Sequence, residues 1–170
     1  MNLNIDTKTK NLILMIASIV IVAAFLILPI VSASANMAGQ SKSESINGLD
    51  ILTDKDAVTG IMGKETPALV VVGSLLVIAG GGAAIYFSAV KFNQPNYKQF
   101  FMYSAIGAAV GAVLIMLGWS EDMKTIQDAF KQIKDMGGSA SIGYGFGFWL
   151  SLIASAACIA GCFVKANDEQ

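Results

Sequence analysis

Two cysteines, Cys158 and Cys162, are the strongest nucleophiles that the chain offers. They stand four residues apart, one helical turn, deep in an apolar run. The chemistry open to such a pair is acylation or thiol redox exchange. The simpler reading is that they are small packing residues kept reduced. Nothing nearby activates them. The chain has no His, and all 11 of its basic residues are Lys. Without His there is no Ser/His/Asp or Cys/His arrangement, no neutral-pH proton shuttle, and the commonest metal ligand is missing. Without Arg there is no planar fork for phosphate. No phosphate-binding loop or dinucleotide fingerprint is present. We therefore expect no enzyme activity, no cofactor and no metal.

The elements that hold these residues are mostly apolar. Of 170 residues, 55% are hydrophobic and 14% charged, where soluble domains carry nearer a quarter charged. Mean hydropathy is +0.64. A net charge of -1 argues against a nucleic-acid partner. The partner that composition names is the lipid bilayer.

Four long uncharged runs predict membrane spans over residues 11–31, 67–90, 100–119 and 141–164. Each has about 20 residues, enough to cross ~30 Å of hydrocarbon as a helix. The expected fold is all-α: a four-helix transmembrane bundle with a short outer amphipathic helix, in one integral membrane domain. Thr66-Pro67 reads as a cap and first helical position for the second span. Aromatic residues at the span ends suggest two interfacial belts. One holds Phe92, Tyr97, Phe100, Phe101 and Tyr103. The other holds Trp119, Tyr144, Phe146, Phe148 and Trp149.

Lysines set the orientation. The termini and the tight link 91–99 carry Lys8, Lys10, Lys91, Lys98 and Lys165 against Asp6, Asp168 and Glu169. That leaves six of the 11 lysines and nine of the 12 acids for the two longer loops. Short positive loops stay inside. Both termini are expected in the cytoplasm, in the plasma membrane, with loops 32–66 and 120–140 facing out.

Ala33-Ser34-Ala35 has the form of a signal-peptidase site, with cleavage after Ala35. A signal peptide has an apolar core of about 7–15 residues. Leu12 to Val31 is longer and uncharged, which suits a retained span, with Ala33-Ser34-Ala35 as the hinge into the first outer loop. That loop opens with a Ser/Ala/Asn/Gly stretch expected to be flexible. Asn47-Gly48 is a turn signal. Thr53 or Asp54 caps a short helix that Gly63 ends. The loop is read as a small cap on the bundle, or as a partner-binding ectodomain.

In loop 120–140, Ser120 reads as an N-cap and Gly137-Gly138 as the exit. Met123, Ile126, Phe130, Ile133 and Met136 fall on one helical stripe. The stripe lies on the membrane surface, packs over loop 32–66, or docks a partner subunit.

Small residues mark the spans. They are Gly80, Gly81 and Gly82 in the second, and Gly107 and Gly111 in the third. In the fourth, Gly143, Gly147, Ser151 and Ser155 share one face. Such residues let helices approach closely in lipid. They serve packing within the bundle, or form the interface of a homo-oligomer or with another membrane protein. Three adjacent glycines are also found in the broken helices of transporters, but no charge lies inside any span to accompany them.

Four spans, inner termini, a longer first outer loop and a shorter second one resemble the claudin-like tetraspan layout. Claudins carry a Trp, a Gly-Leu-Trp and two Cys in the first outer loop. Here that loop has only Asn47-Gly48-Leu49, so no residue role is carried over. Residues 47–51, "NGLDI", also resemble a short pattern in uncharacterised bacterial four-span proteins. The function expected is a structural, scaffold or accessory-subunit role. The alternative is a channel or transporter component whose pore forms only in an oligomer.

Overall fold

The computed structural model describes residues 6–37, 40–91 and 94–164. Phe92, Lys165, Asp168 and Glu169, used above for the aromatic belts and the charge balance, lie outside them. The chain runs through α1 (Thr7–Ile27), β1 (Val31–Met37), β2 (Gln40–Ile46), α2 (Gly48–Thr53) and α3 (Lys55–Met62). It continues through α4 (Ala68–Ala89), α5 (Tyr97–Asp135), β3 (Ser139–Tyr144) and α6 (Phe146–Phe163). The chain is predominantly helical, with a small sheet added. Four helices, α1, α4, α5 and α6, are long and apolar enough to cross a membrane.

Those four close a ring. Helix α4 lies along α5, α5 touches α6, α6 packs on α1, and α1 returns to α4. Ile21, Phe25, Val77, Phe101, Ile115, Trp119 and Phe148 fill the middle. Phe101, Trp119 and Phe148 are therefore core residues and not belt residues, and Tyr97 is buried too. At the end carrying α1's start and α6's finish, the Lys10 ammonium donates to the Val164 carbonyl. Beside it the Tyr97 hydroxyl donates to Asn11 Oδ1 at 3.0 Å.

Glycine makes the α4–α5 seam. A Cβ on Gly111 would lie 2.5 Å from the Gly73 carbonyl oxygen and 2.8 Å from the Val77 nitrogen. A Cβ on Gly80 would lie 2.6 Å from the Ala108 nitrogen. Gly81 faces α1 at Val22, and Gly147 faces the Ala24 carbonyl of α1 and that of its C-cap, Leu28. Helix α4 runs unbroken through Gly80-Gly81-Gly82. Gly82 and Gly107 meet nothing within 4 Å, so Gly107 does not share the seam with Gly111. On α6, the Ser151 hydroxyl reaches Ile21 O at 3.2 Å and Gly147 O at 2.7 Å, and Ser155 bonds Ser151 O.

Several boundaries differ from the sequence reading. The fourth span starts at Phe146, because Ser139–Tyr144 is a strand; Gly143 lies in that strand and not on the helical face of Gly147. Ala33-Ser34-Ala35 is no hinge. It lies in β1, the central strand of a sheet ordered β2-β1-β3. The opening of the first loop is the β1–β2 pair, not a flexible stretch. Pro67 is the N-cap of α4 and Thr66 does not cap it.

The outer amphipathic helix is not separate. It is the second half of α5, 39 residues long. No proline interrupts residues 117–124, and each added residue gains a backbone hydrogen bond. Ser120 bonds back to Leu117 O at 2.9 Å instead of capping. At 1.5 Å per residue α5 is about 58 Å long, twice the ~30 Å hydrocarbon layer. It stops where expected. The Gly137 amide bonds Lys134 O and the Gly138 amide bonds Ile133 O, both at 3.0 Å, with Gly137 at φ 82°. That left-handed position suits glycine.

Candidate functional site

The sheet is built from both of the longer loops, 32–66 and 120–140 with the residues that follow it, and its strands alternate with period two. Ser32, Ser34 and Asn36 point one way along β1, Ser41, Ser43 and Ser45 along β2, and Ser139, Ser141 and Gly143 along β3. The register aligns them in three rows: Ser45-Ser32-Gly143, Ser43-Ser34-Ser141 and Ser41-Asn36-Ser139. Most of this face is exposed. The Ser34 and Ser141 hydroxyls sit 2.9 Å apart across it. The result is a surface paved with hydroxyls, free of charge and of aromatic rings.

The other face carries Val31, Ala33, Ala35, Lys42, Glu44, Ile46, Ala140, Ile142 and Tyr144, and Val31, Ile46 and Ile142 are buried. It rests on α3 and the second half of α5. A cleft of about 200 Å³ remains there, lined by Ala33, Lys42, Glu44, Ile61, Ile126 and Phe130. The α5 stripe thus packs under the sheet. Met123 is buried, Ile126 and Phe130 join the core, and Ile133 lies against Gly138. Met136, beyond the turn of contact, is exposed. Gln127 Nε2 donates to Ile142 O at 3.3 Å.

Short caps hold the sheet's far flank. Asn47 caps α2 reciprocally with Asp50, so Asn47-Gly48 is a helix start and not a free turn. Asp54 caps α3, and Gly63 ends it at φ 72°. Lys64 then ties the linker to α5 through Asp122 at 2.5 Å. Asp122 is 8% exposed. Its Oδ2 and the nearby Trp119 Nε1 have no protein partner.

Tyr144 closes the base of the sheet, donating to Met116 O at 2.9 Å. Burial, and then the Asp122 charge, push its hydroxyl up to about 12 from an ordinary 10.0. The fold thus favours the protonated phenol. That contribution is complete below pH 10 and disappears as pH climbs towards 12. We expect the thermal midpoint in detergent to fall between pH 10 and 12 more steeply in wild type than in Tyr144→Phe. Parallel curves would remove Tyr144 as the cause.

This face donates and accepts hydrogen bonds, but has no base to activate a serine. Among the described residues, no three His, Cys, Asp or Glu side chains converge to hold a metal. The cysteines lie at the opposite end. Cys158 is buried against Ser18 Oγ at 3.7 Å, and Cys162 Sγ bonds Cys158 O at 3.3 Å. Sequence reasoning missed the sheet face. Its signal was the alternation in Ser32-Ala33-Ser34-Ala35-Asn36, Ser41-Lys42-Ser43-Glu44-Ser45 and Ser139-Ala140-Ser141-Ile142-Gly143. Comparison with protein-family models, with curated proteins and with solved structures finds no match.

Proposed function

We propose that this membrane protein is a non-enzymatic scaffold or accessory subunit whose bundle holds the outer sheet as a rigid docking element. One observation carries the reading: a hydroxyl-paved sheet, assembled from two distant loops, is fixed to a helix continuous with a membrane span. Hydroxyl arrays make many hydrogen bonds with partners and cost little to desolvate compared with charges. The reading carries with it the expected claudin-like layout of a longer first and a shorter second outer loop. Gly82 and Gly107, open on α4 and α5, give a second membrane helix room for close approach. We place the termini in the cytoplasm and the sheet outside the plasma membrane, on the strength of the short Lys91–Lys98 link.

Labelling tests the placement. Ser43→Cys in intact cells should react with a membrane-impermeant maleimide, and protection until lysis would reverse the orientation. Solute flux tests the role. Liposomes holding the pure protein should stay tight, because buried apolar side chains fill the single bundle. Solute passage would replace the scaffold reading with the oligomeric channel.

A further inference from the structure

We infer that β2 is a self-pairing edge, and that the partner it takes is β2 of a second copy in a facing membrane. This rests on reading the sheet as a docking element. It adds the partner's identity.

The two sheet edges differ. Helix α5 covers the β3 side, where Gln127 caps the Ile142 carbonyl. Strand β2 has β1 on one side only. Among the described residues, no hydrogen bond reaches its Ser41–Ser45 backbone from outside the sheet. An open row of backbone donors and acceptors is a template for another strand.

Charged residues on an edge normally prevent such pairing, since a strand meeting its own copy brings like charges together. This strand is arranged so that they need not meet. Its sequence, Ser41-Lys42-Ser43-Glu44-Ser45, is symmetric about Ser43 with the charge sign reversed. Antiparallel pairing centred on Ser43 sets Lys42 opposite the second copy's Glu44, Glu44 opposite its Lys42, and serine opposite serine. A shift by one residue would mix the serine face with the charged face. A shift by two in one direction sets Lys42 against Lys42, and in the other Glu44 against Glu44. Only the Ser43-centred register keeps the faces and satisfies both charges. In the single chain Lys42 and Glu44 hold each other at 2.7 Å, with the lysine side chain 80% exposed. That contact exchanges for the cross-strand one at little cost.

The fold decides where the second copy stands. Strand β3 descends beside the outer half of α5, with Gly138 at Ile133, Ile142 at Gln127 and Tyr144 at Met116. The strands therefore stand along the bundle axis, with Gln40 at the tip and Ile46 at the base. An antiparallel second β2 puts its own bundle beyond the tip. The two bundles then occupy facing membranes, separated by about one strand length, ~23 Å for seven residues.

The test uses the full chain in vesicles, sheet outward, with tethering read by energy transfer between two dye-labelled populations. Wild-type vesicles should tether. Lys42→Glu vesicles, and Glu44→Lys vesicles, should each tether to themselves about tenfold less, two attractive pairs having become repulsive. Lys42→Glu vesicles mixed with Glu44→Lys vesicles should recover wild-type tethering, as should the double variant with itself. Both positions are at the surface, and an unchanged thermal midpoint confirms that the variants fold. Absence of tethering by wild type, or equal tethering by all variants, overturns self-pairing. Overturned in that way, with vesicles still tight to solute, the scaffold reading stands with a different partner. Leaky vesicles overturn the scaffold reading itself.

Discussion

Gly111→Ile will lower the thermal midpoint in detergent by about 10 °C or more, while Gly107→Ile will not lower it. The two glycines are one turn apart on the same helix and have equal standing in the sequence. At Gly111 the new side chain meets the α4 backbone first: a Cβ there falls 2.5 Å from Gly73 O and 2.8 Å from Val77 N, with Leu76 Cβ at 2.9 Å. Backbone cannot swing away as a flexible side chain does, so α4 and α5 must separate along the seam. Overpacking costs typically about 1–3 kcal/mol. This site belongs at the upper end or beyond, since the two nearest atoms are backbone closer than 3.0 Å. A cost of about 3 kcal/mol corresponds to roughly 6–12 °C for a chain of this size. At Gly107 nothing lies within 4 Å, and isoleucine there gains helix propensity over glycine. Equal losses at the two positions would show that the seam does not depend on backbone contact.

The second large effect belongs to Trp119, which is fully buried where the bundle meets the cap. Trp119→Ala should cost about 3–5 kcal/mol, as large core truncations do. Trp119→Phe should cost far less. It keeps most of the ring and removes an indole N–H that has no protein partner, a group whose burial carries about 1–3 kcal/mol of desolvation penalty. Chemical denaturation of both variants at one detergent concentration checks the ranking. A phenylalanine variant as weak as the alanine one would mean that the indole nitrogen is held by an ordered water.

The spans were legible because lipid imposes a simple rule. About 20 uncharged apolar residues must follow one another, and four runs do so. The helix stops at Gly63 and Gly137-Gly138 were legible for a local reason, since positive φ suits glycine. The continuity of α5 was hidden by Ser120-Glu121-Asp122, which has the composition of a helix start. There the polarity change marks the helix leaving lipid for water, and the backbone does not register it. The sheet was hidden twice. Serine, alanine and asparagine are not typical strand formers, so residues 32–36 look like a linker. Ser141 to Tyr144 abuts the apolar α6 and was absorbed into its span. In both places the alternation was present, but too short and too small in side-chain volume to outweigh the neighbouring signals. Which glycines face a neighbour depends on helix rotation, and spacing alone cannot separate Gly107 from Gly111.

The position of β1 also fixes an order of events in synthesis. Its neighbour on one side, β2, follows within a few residues. Its neighbour on the other, β3, arrives late: Ser34 and Ser141 are 107 residues apart. Until α5 has been made and its chain has turned back at Gly137, β1 has one side open. Contacts this distant in sequence form slowly. The sheet therefore closes only after α5 is in place, and α6, which packs on α1 across as many as 154 residues, closes the bundle after it.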